Sequence, residues 1–291
     1  MHWLYVVILS AVQGLAELLP VSSSAHVIVV AKLLHEDMST PANALLLVML
    51  HTGTMFAVIV YFWRQWVDTF FSSWAAFWRF VGMVFVACFL SGVVAFPLMI
   101  LVGHILSHGA QPAEIEALFN KLNWIAPALA AVGFLILWAG LHEARNPIPE
   151  SDDVPRGISW AQAVVMGILQ GVAIPFRGFS RSGSTISGGL LAGGDRKPIE
   201  SFSFAIVVAI TPLAIAREFH RLIRADAHAG AQLSVVSALA PSLLGMVCAF
   251  IAGLVALKWL SRWLEQGRWY WFGIYCLAAS IVVAVLYFRG W

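Results

Sequence analysis

The chain has 291 residues, 60% of them hydrophobic and only 11% charged, with a net charge of +2 and a mean hydropathy of +0.85. Ordinary globular domains carry about a quarter charged residues, so this composition excludes a water-soluble surface and marks an integral membrane protein. Lys and Arg fall mostly in short connections and form no basic stripe, which excludes nucleic acid as a partner.

The first apolar region, 3 to 34, is split by a polar patch in which Gln13-Gly14-Leu15-Ala16 leads through Glu17 to Pro20-Val21-Ser22-Ser23-Ser24-Ala25-His26. It has no basic n-region and carries Glu17, so a cleaved signal peptide is not expected. Glu17 lies four residues after Gln13, which puts both side chains on one helical face. An ionisable group at membrane depth costs a few kcal/mol on insertion scales and marks a functional site by default; the alternative is an arm end at the interface with a hydrated carboxylate. Pro20-Val21-Ser22-Ser23 reads as a hairpin tip, with Ser22 or Ser23 as N-cap of the returning arm. Ser23 and His26 are three apart on that arm and are expected to touch. A hydroxyl beside an imidazole is a nucleophile and base arrangement, against the plainer reading of a cap beside a hydrogen-bonded histidine.

Apolar runs of crossing length, about 20 residues, follow near 44 to 62, 81 to 103 and 124 to 141. The first contains His51-Thr52-Gly53-Thr54, which either lines a cavity or belongs to a satisfied core. Trp63, Trp66, Trp74 and Trp78 suit an interfacial aromatic belt and need no ligand. The most polar linker, Asn146 to Asp153, then divides the chain into halves at 1 to 145 and 157 to 291.

The second half repeats the plan. Region 158 to 193 is apolar and again split, by Gln170-Gly171-Val172-Ala173, then Pro175 and Arg177, then Gly178-Phe179-Ser180-Arg181-Ser182-Gly183-Ser184-Thr185. This patch sets one guanidinium among four hydroxyls at the start of an apolar arm. Arg favours bidentate anionic partners, and helix N-terminal amides attract anions as well. Arg181 therefore calls for an anion, either a bound phosphate or Glu17 itself as a structural ion pair. Crossings near 201 to 216, 236 to 260 and 270 to 288 complete the chain, and Cys88, Cys248 and Cys276 sit in apolar runs with no readable disulfide framework.

The split regions leave arms too short to cross, and irregular backbone at membrane depth is tolerated only where protein or water surrounds it. They read as re-entrant helical hairpins, at 3 to 34 and 158 to 193. The expected fold is an all-α polytopic membrane protein with six transmembrane helices and two re-entrant hairpins. Three crossings per half is an odd number, so the second half is inverted and the hairpins meet near the midplane, as in inverted-topology repeats. Nine Lys and Arg fall on the side of Arg64, Arg145 and Arg268, against six on the side of both termini. This bias makes the first side cytoplasmic.

At the two patches the chain resembles the bacterial undecaprenyl-diphosphate phosphatases associated with bacitracin resistance. Gln13 to His26 is similar to the family's first motif and Ser180-Arg181-Ser182-Gly183-Ser184-Thr185 to its second, and the likeness extends through His51-Thr52-Gly53-Thr54 and Tyr61-Phe62-Trp63-Arg64. The resemblance implies removal of the terminal phosphate of undecaprenyl diphosphate in the bacterial cytoplasmic (inner) membrane, with the site open to the periplasm. It assigns Gln13 and Glu17 to a motif tied to a divalent cation, Mg²⁺ or Ca²⁺, and Ser23 and His26 to the catalytic pair. Ser180, Arg181 and Thr185 fall to diphosphate binding, with Ser22, Ser182 and Gly183 beside them. Two departures stand out: Gln13, where many members have Glu, and Pro175-Phe176-Arg177-Gly178, where the family usually has Pro directly before Gly. The partners implied are the prenyl lipid and membrane lipids, with room for a homodimer. Inverted repeats are also typical of transporters, so a flippase for the phosphorylated lipid is the alternative; a scaffold without chemistry fits Glu17, His26 and Arg181 poorly.

Overall fold

The computed structural model describes residues 3–34, 41–107, 122–145, 157–229 and 235–290. Among these residues the chain forms ten α-helices and no strand: α1 Trp3–Leu18, α2 Ser23–Leu33, α3 Pro41–Phe70, α4 Trp74–Ser107, α5 Leu122–Arg145, α6 Trp160–Ala173, α7 Arg181–Leu191, α8 Arg196–Ala229, α9 Val235–Glu265 and α10 Tyr270–Phe288. The expected linker at 146 to 153 lies outside the described residues.

Length separates two kinds of helix. The pairs α1/α2 and α6/α7 have 16, 11, 14 and 11 residues. At 1.5 Å per residue none of them spans a hydrocarbon core of about 30 Å. Helices α3, α4, α5, α9 and α10 are long and apolar enough to cross a membrane, so the protein is a multi-pass membrane protein. These are five helices against six expected crossings. The sixth stretch, 201 to 216, lies within the 34-residue α8, between a first turn holding Arg196 and Lys197 and a polar stretch from Arg217 to Arg224.

Close approaches fix the helix directions. Ser10 lies at Gly245, and a Cβ added at Gly14 would stand 2.6 Å from the Ala252 methyl, so α1 runs alongside α9 in the same sense. At Gly53 a Cβ would stand 2.2 Å from the Met246 carbonyl oxygen, so only glycine admits the contact that draws α3 against α9. Small residues at such crossings are how helices associate in lipid, where apolar surface supplies no drive of its own. On the other side, Arg79 Nη2 donates to Ile158 O at 3.2 Å and Ser91 Oγ to Gly167 O at 2.9 Å, which sets α6 parallel to α4. Since α3 and α4 are joined by the short connection 71–73, they run in opposite senses. The α1/α2 pair thus enters from the end where α3 starts, and the α6/α7 pair from the end where α3 meets α4.

Helices α5 and α10 pair antiparallel, with Gly140 at Tyr270 and Ser280 Oγ donating to Ala126 O at 2.8 Å. The two tips land at different levels on this pair, Pro20 O at Cys276 and Gly178 at Ile125. The hairpins therefore overlap in depth instead of meeting end to end. The core gathers from both halves around Phe62, Phe202, Phe204 and Trp269, all essentially inaccessible. At the α3/α4 end, Arg196 pairs with Glu143, Lys197 with Glu265 at 3.3 Å, and Gln65 donates to Lys197 O at 2.9 Å. Phe85, Phe96 and Phe288 stand outward for lipid.

Candidate active site

Glu17 lies in the last turn of α1 with only 6% of its side chain accessible. Arg181 Nη2 donates to its Oε1, and the Ser23 hydroxyl donates to its Oε2. Gln13 Nε2 donates to Oε2 at 3.1 Å. The residue is buried and paired, not hydrated at an arm end.

Both donors of highest consequence come from helix starts. Arg181 is the first residue of α7 and Ser23 the first of α2. The N-terminal ends of two helices from different hairpins thus converge on one carboxylate, where helix dipoles and end amides favour an anion. The expected side-chain cap on α2 does not form: Ser22 has φ +67° and makes no capping bond, its Oγ lying 3.3 Å from Ser24 Oγ. The first-turn amides of α2 are left without a side-chain acceptor. In α7, by contrast, Ser180 caps by accepting from Gly183 N at 3.2 Å.

His51 of α3 completes the carboxylate's surroundings, its Nε2 standing 3.8 Å from Glu17 Oε2 and 3.4 Å from Gln13 Nε2. Its Nδ1 lies 2.8 Å from Leu47 O. A carbonyl oxygen only accepts, so Nδ1 carries a proton. Gln13 presents its NH₂ to the Glu17 carboxylate, with His51 Nε2 3.4 Å from the same nitrogen. Gln13 Nε2 thus steadies Glu17, and the amide oxygen, the atom expected to ligate a metal, is the end of the side chain turned from the carboxylate.

The expected contact of Ser23 with His26 is not made. Ser23 turns to Glu17, while His26 Nδ1 donates to Ser22 O at 2.8 Å and its Nε2 meets the Tyr275 hydroxyl at 2.6 Å, the two rings stacked at 5.7 Å. Helical spacing placed the two residues on one face correctly, but a carboxylate and a phenol from other helices supplied better partners.

The hydroxyls after Arg181 serve the helix and its packing. Ser182 Oγ lies 3.5 Å from Ser180 Oγ, and Ser184 and Thr185 each donate to Arg181 O at 2.9 Å. Thr185 also meets Ser203 of α8 at 2.6 Å, and neither it nor Ser184 is accessible. A Cβ at Gly183 would stand 2.8 Å from Ile136 Cδ1, so its role here is close packing on α5. Pro175-Phe176-Arg177-Gly178 forms the tip turn, closed by Phe179 N donating to Phe176 O at 3.0 Å; Gly178 has φ +100° and lies against Ile125 O. Of the expected site residues, Gln13, Glu17, Ser23 and Arg181 come together, whereas Ser180, Ser182, Gly183 and Thr185 cap α7 or pack it against its neighbours.

No group of three or more His, Cys, Asp or Glu side chains able to hold a metal occurs among the described residues. The donor set at the site is the Glu17 carboxylate and the Ser23 hydroxyl. It does not fit a cage made by protein alone, but it fits a hard cation whose remaining ligands are phosphate oxygens, the usual pattern for Mg²⁺.

The family model described as "Bacitracin resistance protein BacA" matches residues 6–282. The chain is 50% identical over 288 residues to "Undecaprenyl-diphosphatase 2" of Acinetobacter baylyi, covering 98% of each chain. It is 35% identical to "Undecaprenyl-diphosphatase" of Desulfatibacillum aliphaticivorans, covering 98% of this chain and 99% of the relative. It is also 34% identical to "Undecaprenyl-diphosphatase 2" of Burkholderia thailandensis, covering 99% and 96%.

Proposed function

The chain belongs to the bacitracin resistance protein BacA family, and from that membership we propose that it removes the terminal phosphate of undecaprenyl diphosphate. The product is the monophosphate lipid that carries peptidoglycan precursors, and the removal underlies bacitracin resistance. The single observation that carries the reading beyond the family name is the meeting of Arg181 and Ser23, from opposite hairpins, on the buried Glu17. A flippase would need no nucleophile at that point, and the names of the relatives favour the phosphatase.

Each residue's part follows from its chemistry. Arg181 exchanges Glu17 for the terminal phosphate, two of whose tetrahedral oxygens can each accept one of the parallel N–H bonds of its planar fork. The uncapped first turn of α2 adds amide donors, so positive potential is fixed in advance where phosphoryl charge develops. The Ser23 oxygen bonds to the terminal phosphorus as the bridging P–O bond breaks and the monophosphate lipid leaves. Glu17 Oε2, already the hydrogen-bond acceptor of Ser23, takes the hydroxyl proton, and water then hydrolyses the phosphoserine to release phosphate. Gln13 keeps Glu17 aimed, and His26, on the same arm as Ser23, takes the proton of the water that hydrolyses the phosphoserine. Glu17 would hold Mg²⁺ or Ca²⁺ together with diphosphate oxygens, and such an ion supplies neutralisation of the substrate's charge.

We read the enzyme as lying in the bacterial cytoplasmic membrane as two inverted repeats, 1–145 and 157–291, with the site open to the periplasm. Exchange of partners between the halves supports the repeat: α1 packs on α9 and α6 on α4, while α3 packs on α8 and α5 on α10. The excess of basic residues at the α3/α4 end supports a cytoplasmic position for that end. His51, which marks the level of the site, lies ten residues into α3, about 15 Å from its other end. The prenyl chain would lie along outward faces such as that of α4, and a homodimer would bury part of the same apolar surface.

The test is phosphate release from undecaprenyl diphosphate by the detergent-purified protein, with and without excess chelator. Release that stops on chelation and returns with Mg²⁺ or Ca²⁺ is expected. Full activity in chelator would remove the cation from the account, and no release at all would remove the phosphatase.

A further inference from the structure

His26 is the residue of the first patch whose ring is met from outside both hairpins. Its Nδ1 lies 2.8 Å from Ser22 O and so carries a proton, leaving Nε2 as the only nitrogen of the neutral ring able to accept. That nitrogen lies 2.6 Å from the Tyr275 hydroxyl of α10, and the rings are stacked at 5.7 Å and 13°. Tyr275 must be the donor.

We propose that Tyr275 is a positioning residue for the phosphatase reaction, its hydroxyl and ring holding the His26 imidazole in one plane with Nε2 as the acceptor. The proposal rests on the phosphatase reading and on the part of His26 in it. Two contacts fix the ring from opposite edges, the α2 backbone at Nδ1 and α10 at Nε2. Without Tyr275 the ring keeps its bond to Ser22 O but loses the partner that sets its tilt, and Nε2 is left at a partly open surface, since Tyr275 is itself 46% exposed. A donor at Nε2 favours the neutral ring over the imidazolium. Because that donor engages the ring's one lone pair, His26 takes a proton only as the Tyr275 hydroxyl turns off Nε2, and Tyr275 acts by presetting the ring's plane and its neutral form.

Other ionisable groups around the ring are few. On α1 there is Glu17, already taken by Arg181 and Ser23. On α10 there are Tyr275 and Cys276, the latter turned to Pro20 O. Helix α5 has no ionisable side chain from Leu122 to Leu141, and α2 itself carries Lys32 well beyond His26 in its last turn. None of the ion pairs among the described residues includes His26.

Tyr275→Phe tests this, because it keeps the stacked ring and removes only the hydroxyl. Three quantities are read against wild type: kcat and KM for undecaprenyl diphosphate, the pH profile of kcat/KM, and the rate at which diethyl pyrocarbonate acylates His26, followed by mass spectrometry of its peptide. The expected result is a fall in kcat of about tenfold, the lower range for partners that orient a histidine, with KM nearly unchanged. Losing a donor at Nε2 makes protonation easier, so the acid limb should move to higher pH. Acylation of His26 should quicken as its lone pair is uncovered. Unchanged kcat and an unmoved acid limb would overturn the proposal even if acylation quickens, and equal acylation rates would overturn the contact itself. Full activity of His26→Gln would overturn the proposal while leaving the phosphatase reading intact, which wild-type phosphate release judges separately.

Discussion

Glu17 has two carboxylate oxygens and three side chains donating to them, and the donors rank differently in what they contribute. Arg181 brings a full charge, Ser23 a transferable proton, and Gln13 a neutral amide that also lies beside His51. With 6% of its side chain accessible, Glu17 depends on that charge, whereas Arg181 is 35% accessible and keeps some hydration. Arg181→Ala should therefore destabilise the protein through the stranded carboxylate, by up to roughly 3 kcal/mol, the lower end for breaking a buried pair because the arginine is partly solvated. Glu17→Gln in the same background should return most of it. Thermal unfolding in detergent of the two single variants and the double reads this directly, and a double variant no more stable than Arg181→Ala would mean that the pair does not hold the hairpins together. Part of this site was legible in the sequence because it is local. The i, i+4 relation of Gln13 to Glu17 is a property of any helix, and a lone arginine in an apolar setting must find an anion. The partners of His26 were not legible: helical spacing put it beside Ser23, but Tyr275 lies 249 positions away in an apolar run with nothing to mark it.

At the scale of elements, the breaks between the short helices were legible because the interruption is chemical. Pro, Gly and hydroxyl residues broke two apolar regions into arms, and the arms are helices of 11 to 16 residues. Their boundaries with the crossings were less so. Apolar runs read as 44 to 62 and 81 to 103 belong to helices Pro41–Phe70 and Trp74–Ser107. Tryptophan, Arg64 and Arg79 at their ends continue the helix past the hydrocarbon, and hydropathy does not register that continuation. The overlap of the two tips was likewise invisible, because it is decided by where glycines let backbones approach, as Gly178 does at Ile125.

For the whole molecule, the arrangement makes a claim about sidedness. Helices α3 and α9 run in one sense and α4 and α6 in the other, so the connection 71–73 and the turn after α9 share one side, and the ends of α2 and α10 share the opposite one. In intact cells, single cysteines at Leu34 and Arg289 should react with an impermeant maleimide, and those at Ser73 and Gln266 should react only after the membrane is opened. The reverse pattern would invert the orientation, and all four reacting from one side would break the crossing count. The native Cys88, Cys248 and Cys276 lie within helices and give little background.

The central claim is that one site, built from both hairpins around Glu17 and Arg181, performs phosphate release. The most direct measurement is the initial rate of phosphate release from undecaprenyl diphosphate by purified wild type, Glu17→Ala and Arg181→Lys, each shown to be folded by its thermal transition. Arg181→Lys keeps the charge but loses the planar fork, so both variants should fall by about a hundredfold or more, the scale of losing a preorganised stabilising group. A folded Glu17→Ala or Arg181→Lys protein working near the wild-type rate would contradict the claim and move the chemistry elsewhere in the molecule.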